Sequence, residues 1–294
     1  NSNIYTVVRG RPAHFVGFDV NTQQLIVDVE LEGTDGSWDV STSSDGTVYI
    51  AGANGTLYRH TPGSKIVTSL GKALPGEKLI WDLTAGKNGE IFGGTYPGCR
   101  VFRYHPKDGF TEVSNGPLVK NENYTRSVAY DKNDGHIYAG VATSAALVRL
   151  NPKTGQKTQL LPQGDRKQEA IYHINLIDGL PGGDRVFGWL TGAKQRLTVV
   201  YNLKTKSFES MLPSLDVKSV IKSPKESKIY YSAKSKLYVI DYNQKYKLAK
   251  ELVMLTGEVK ASKWGKDGLL YLLTASEHLH TYNPKNNNLT TSKL

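Results

Sequence analysis

The sequence predicts an all-β fold built from seven copies of one four-stranded antiparallel unit, and three observations predict it. First, a β-branched or Leu residue stands directly before an aromatic seven times: Ile4-Tyr5, Val48-Tyr49, Ile91-Phe92, Ile137-Tyr138, Val186-Phe187, Ile229-Tyr230 and Leu270-Tyr271. The aromatics are 44, 43, 46, 49, 43 and 41 residues apart, a spacing that marks a repeat architecture. Second, turn-forming residues recur at fixed places between these pairs. Third, 29 Gly, 12 Pro and 17 Tyr against 2 Met suit many short strands joined by tight turns.

Residues 81–113 show one whole unit. Trp81 to Thr84 is a first strand, followed by Asn88-Gly89, a two-residue hairpin signal. Ile91 to Thr95 is a second strand, and Tyr96-Pro97-Gly98 a loop. Arg100 to Tyr104 alternates as a third strand should, and Phe110 to Val113 is a fourth. The first turn recurs as Asp45-Gly46, Asp134-Gly135 and Asp267-Gly268. The last turn recurs as Asn151-Pro152-Lys153-Thr154-Gly155, with relatives at 19–22, 202–206 and 283–286. Pro cannot donate to a ladder and Gly allows positive φ, so together they stop and reverse a strand.

Four antiparallel strands per repeat, seven repeats and no helical periodicity describe a seven-bladed β-propeller. A single twisted sheet cannot cover its own faces, and packing blades around an axis buries them. The paired aliphatic and aromatic residues of each second strand are expected to form the core between blades. First strands are expected near 38, 81, 126, 173, 218 and 261, which leaves the blade of residues 4–31 without an inner strand. The reading is one propeller domain over 1–294, a module of a longer polypeptide, or else a three-stranded first blade.

By repeat length and strand pattern the chain resembles the broad YVTN and PQQ-like propeller superfamily. Trp-Asp occurs at Trp38-Asp39 and Trp81-Asp82, but at the start of the first strand, so the WD40 pattern does not match. The segments Gly93-Gly94-Thr95-Tyr96-Pro97-Gly98 and Asn151 to Gly155 resemble uncharacterised extracellular bacterial propellers. The resemblance implies a bacterial protein, secreted or on the cell surface, and covers the fold over the whole length. It names no activity, because a fold hosts many functions.

Composition narrows the classes. Net charge is +10, which favours an anionic partner such as an acidic glycan or cell-wall polymer. The Lys and Arg residues are spread, with no zinc finger, RNP signature or basic helix, so nucleic acid is not expected. No run of apolar residues is long enough for a membrane-spanning helix, and residues 1–10 are too polar for a signal peptide. The one cysteine, Cys99, reads as a small buried strand residue and not a nucleophile. No phosphate-binding or dinucleotide fingerprint appears. No third ligand accompanies His278 and His280, so neither metal nor cofactor is expected, and the protein is expected to be a monomer.

Strand direction locates a site. The starts of first strands and the loops between second and third strands share one face, and the short Asp-Gly and Asn-Pro turns share the other. Binding residues usually sit on the irregular loops. At the expected channel mouth that face collects Trp38, Asp39, Trp81, Asp82, Arg126, Tyr172, His173, Asn175 and Lys218. The loops add Tyr96, and Trp189 with Lys194. Aromatics stack on sugar rings while Asp, Asn and Arg bind hydroxyls or carboxylates. The structural alternative reads Trp38 and Trp81 as channel packing, and Asp39 and Asp82 as acceptors for neighbouring backbone amides.

The first expectation is a non-catalytic recognition module that binds an anionic glycan at the mouth. The alternative is a polysaccharide lyase acting by β-elimination. There Arg126 would neutralise the uronate carboxylate, His173 would take the proton, and Tyr172 or Tyr96 would protonate the leaving oxygen. A third reading is a scaffold that binds proteins through its rim.

Overall fold

The structure is a computed structural model that describes residues 3–164, 167, 170–192, 197–213, 215–244 and 248–293. It divides into two compact units, Asn1–Tyr172 and His173–Leu294. Regular structure among the described residues is almost all antiparallel strand. It is arranged largely as four-stranded sheets, which is consistent with a propeller.

The first unit opens with a three-stranded sheet of β1 (Asn3–Val8), β2 (Ala13–Asp19) and β3 (Leu25–Leu31). Two four-stranded sheets follow. One holds β4 (Ser37–Thr42), β5 (Val48–Gly52), β6 (Thr56–His60) and β7 (Thr68–Lys72). The other holds β8 (Leu79–Ala85), β9 (Ile91–Tyr96), β10 (Val101–His105) and β11 (Gly109–Glu112). Then come β12 (Tyr124–Tyr130), β13 (Ile137–Ala142), β14 (Ala146–Leu150) and β15 (Lys157–Gln159). The end of β13 is bridged to the start of β16 (Ala170–Ile177) by one residue pair, Ala142 and Ala170.

In the second unit β16 continues into a sheet with β17 (Arg185–Thr191), β18 (Leu197–Asn202) and β19 (Ser207–Pro213). Two four-stranded sheets complete it. They are β20 (Ile221–Lys222) to β23 (Ala249–Met254), with β21 (Lys228–Ala233) and β22 (Lys236–Asp241) between, and β24 (Val259–Trp264) to β27 (Asn288–Lys293), with β25 (Leu270–Thr274) and β26 (His278–Asn283) between.

The first strand expected near residue 218 is not one. Val217–Ser219 is a 3-10 turn, and only two residues of strand follow it. Side chains replace the ladder there. The Asp216 carboxylate accepts from the Lys218 amide, and the Ser219 hydroxyl accepts from the Ser232 amide at 2.6 Å.

The turns follow their residue types. Asn88 and Gly89 both have positive φ, 54° and 79°, as a two-residue turn of the primed class requires. At the other end of the strands, Asp19, Asn151 and Asn202 each accept two backbone amides from residues two and three ahead, which closes a side-chain-capped turn.

The aliphatic–aromatic pairs lie on β1, β5, β9, β13, β17, β21 and β25 and are buried in most sheets. Ile4, Tyr5 and Tyr271 are only partly covered. For the first two the reason is topological, because β1 is an edge strand of a three-stranded sheet. Within each unit the core lies between consecutive sheets. Tyr49 packs with Ile80, Leu83, Ile91 and Phe102, and Phe92 with Val128, Ile137 and Val148. In the second unit Phe187 packs with Ile229 and Tyr231, and Tyr230 with Leu270 and Leu272.

One irregularity recurs at the start of first strands. The register slips by one residue at Trp38 in β4, Trp81 in β8, Arg126 in β12 and Lys260 in β24. A bulge leaves its extra residue out of the ladder and re-aims its side chain.

Candidate functional site

Three of these bulged side chains build one continuous stack in the first unit. The Trp38 and Trp81 rings lie 4.5 Å apart. The Arg126 guanidinium sits 3.9 Å from the Trp81 ring and 4.0 Å from the Tyr172 ring, clamped between the two. At the opposite end the Arg9 guanidinium lies 4.7 Å over Trp38. Tyr124 joins from the side. Its ring is 6.0 Å from Trp81 and stacks on Tyr96 at 4.5 Å.

Trp81, Tyr124, Arg126, Ala142, Thr143, Ala170 and Tyr172 line a pocket of about 400 Å³. It collects the starts of β8, β12 and β16 and the loop after β13, the elements that strand direction alone places on one face. Two carboxylates hold its loops. Glu122 accepts from the Thr143 hydroxyl at 3.1 Å and the Ser144 amide at 2.9 Å. Buried Glu77 accepts from the Gly98 amide at 2.9 Å and pairs with Arg100, which fixes the loop behind Tyr96.

The electrostatics centre on one cation. Among the described residues no carboxylate is ion-paired with Arg126, and it is half-buried. Burial strips water from the guanidinium and lowers its pKa, while the Tyr172 and Tyr124 hydroxyls oppose that shift. Burial raises the Tyr124 pKa, and the neighbouring Tyr96 hydroxyl adds to the effect.

Asp39 and Asp82 stand beside the bulges and bind backbone. Asp39 accepts from the Leu83 amide at 3.0 Å, and Asp82 from the Val128 amide at 2.8 Å, so each ties its first strand to the next sheet. In the second unit the Asn175 amide group donates to the Val220 carbonyl at 2.6 Å across a similar span of chain.

Tyr172 and His173 are consecutive on β16, so their side chains leave on opposite faces of the strand. Tyr172 lines the pocket, whereas His173 packs 5.7 Å from Trp189 in the second unit. Lys218 is exposed on the 3-10 turn. Lys194 lies outside the described residues. Of the residues expected to bind, the structure therefore gathers Trp38, Trp81, Tyr96, Arg126 and Tyr172 in one cluster. Tyr124 and Arg9 join that cluster without having been singled out in the sequence. Tyr124 was not open to inference by alternation, because the register slips at Arg126 two positions on. Nor was Arg9, because its place depends on how the β1–β2 loop folds.

Cys99 is fully buried, in the loop before β10 and not on a strand, and the Thr125 hydroxyl lies 3.8 Å from its sulfur. Burial raises its thiol pKa.

No family model matches the sequence, and no curated protein matches it. The fold does match solved structures. Virginiamycin B lyase from Staphylococcus aureus aligns at 13% identity and a TM-score of 0.67, over all of this chain and 89% of that one. A streptogramin B lyase aligns at 15% identity and a TM-score of 0.65, over 91% of this chain and 89% of that one. A chain of the mitotic checkpoint complex aligns at 12% identity and a TM-score of 0.69, over 99% and 87%. The two lyases are β-propeller-like, and at such identities the likeness shows the fold alone.

Proposed function

We propose that the chain is a seven-bladed propeller that recognises an anionic carbohydrate at the Trp81–Arg126–Tyr172 pocket, without catalysing a reaction on it. The observation that carries this reading is the clamped guanidinium, half-buried between two rings with no carboxylate ion pair among the described residues. Two aromatic rings at 3.9 and 4.0 Å hold the cation in place, and its planar fork of donors suits a planar carboxylate. The rings of Tyr124, Tyr96 and Trp38 offer apolar surface to the C–H face of a sugar. A net charge of +10 draws an acidic ligand from a distance.

A second reading, a lyase, is favoured by the fold likeness to two proteins named as lyases and by two phenol hydroxyls beside Arg126. Its demand is a proton acceptor in the same pocket. Burial makes Tyr124 harder to deprotonate, and His173 leaves β16 on the face away from Tyr172.

Calorimetry with galacturonate oligomers tests the first reading, with Arg126→Gln as the control. Binding by the wild type that weakens at least tenfold in the variant supports it, since a partly desolvated charge-assisted bidentate contact is worth on the order of 1.5–3 kcal/mol. Ultraviolet absorbance of an unsaturated uronate, growing with time in the same mixtures, would replace recognition by the lyase reading.

A further inference from the structure

The stack does not end at the pocket. From Arg126 it runs over Trp81 and Trp38 to Arg9 in steps of 3.9, 4.5 and 4.7 Å. Arg9, like Arg126, has no carboxylate ion pair among the described residues. Between the two cations Trp38 is 43% exposed, which is unusual for an indole. The rail thus has a cation at each end and a part-exposed indole between them.

Arg9 is held in place. Its loop is tied down by the Gly10 amide, which donates to the Asp35 carbonyl at 3.2 Å. Its side chain lies across Gly36, where an added Cβ would meet Arg9 Cγ and Nε at 3.1 Å. Glycine at this position leaves the seat that lets the guanidinium reach Trp38.

We propose that the site takes a linear polyanion and holds it at two points, one acidic group on Arg126 and another on Arg9, with the intervening sugar against the exposed part of Trp38. This inference rests on the recognition reading above and adds the length and repeat of the ligand to it. A single acidic sugar reaches only one of the cations, because two tilted indoles 4.5 Å apart stand in the chain of contacts between them. The ligand class is therefore a polymer with recurring carboxylates, not a free acidic monosaccharide.

The test compares mono-, di-, tri- and hexagalacturonate by calorimetry on wild type, Arg9→Gln, Gly36→Ala and Arg126→Gln, with circular dichroism confirming each fold. In the wild type, affinity rises stepwise once the oligomer is long enough to reach the second cation. The ratio of hexamer to monomer affinity should fall about 2–5-fold in Arg9→Gln, the range of an exposed ion pair. Gly36→Ala should lower the same ratio by displacing Arg9, and the dependence of hexamer binding on salt should weaken in both variants. An unchanged ratio in Arg9→Gln, with Arg126→Gln still impaired, overturns the two-point mode and leaves single-point recognition standing. Failure of the wild type to bind any oligomer overturns recognition of uronates and the two-point mode with it.

Discussion

Asp82→Ala separates a structural carboxylate from a ligand-binding one. Asp82 stands directly beside the pocket residue Trp81, and its Oδ2 accepts the Val128 amide at 2.8 Å. Val128 is buried, so no water replaces the lost acceptor. A hydrogen bond to a charged group contributes about 1.5–3 kcal/mol, and stranding a buried donor costs a similar amount. The expected loss is therefore about 2–3 kcal/mol, a large share of the roughly 5–15 kcal/mol of a typical domain. Asp82→Asn keeps an acceptor oxygen and should lose about 1 kcal/mol. Asp39→Ala, which frees the Leu83 amide, should behave like Asp82→Ala. The assay is urea unfolding followed by tryptophan fluorescence, where 2–3 kcal/mol moves the midpoint by on the order of 1 M. If Asp82→Ala unfolds at the wild-type midpoint and instead loses affinity for galacturonate, the carboxylate serves the ligand and not the fold.

Three further outcomes are expected. Gly94→Ala would place a methyl 2.6 Å from the Thr125 carbonyl oxygen, so β9 and β12 must move apart, and unfolding should shift by about 1–3 kcal/mol. Cys99, buried and with its thiol pKa pushed up, should ignore a chromogenic disulfide reagent in the native protein and react once urea unfolds it. His280 is buried and its pKa is lowered, first by burial and then by His278. Its Nε2 accepts the Thr256 amide, and protonation would remove that bond. Because the folded pKa lies below the unfolded one, stability is fully present above the ordinary histidine pKa and declines as pH falls through it. The urea midpoint should drop between about pH 7.5 and 5, and His280→Asn should flatten that slope; an equal slope in the variant would assign the effect elsewhere.

Strand order was legible because turn residues and the aliphatic–aromatic pairs act locally. Asn88-Gly89 adopts positive φ wherever it closes a hairpin, and Ile91-Phe92 seeks burial whatever its neighbours do. The first strand near 218 was not legible, since a capping Asp216 and the Ser219 hydroxyl substitute for a ladder that spacing alone suggests. At the site, the residue types and the face could be read, because chain direction fixes which loops share an edge. The stacking could not, for it depends on the bulges at Trp38, Trp81 and Arg126, and a one-residue slip leaves no mark in composition. The neighbours divide their tasks: Trp81 lines the pocket while Asp82 accepts the Val128 amide.

The bulge also frees the protein's chemistry from its architecture. A residue outside the ladder contributes no pairing, so its identity can change without disturbing the register on either side. Two tryptophans, an arginine and a lysine occupy this place in four sheets, each following the same slip of one residue. The scaffold thus carries a set of interchangeable sockets, and the side chain at Trp38, Trp81 or Arg126 can change while the cores between sheets stay as they are.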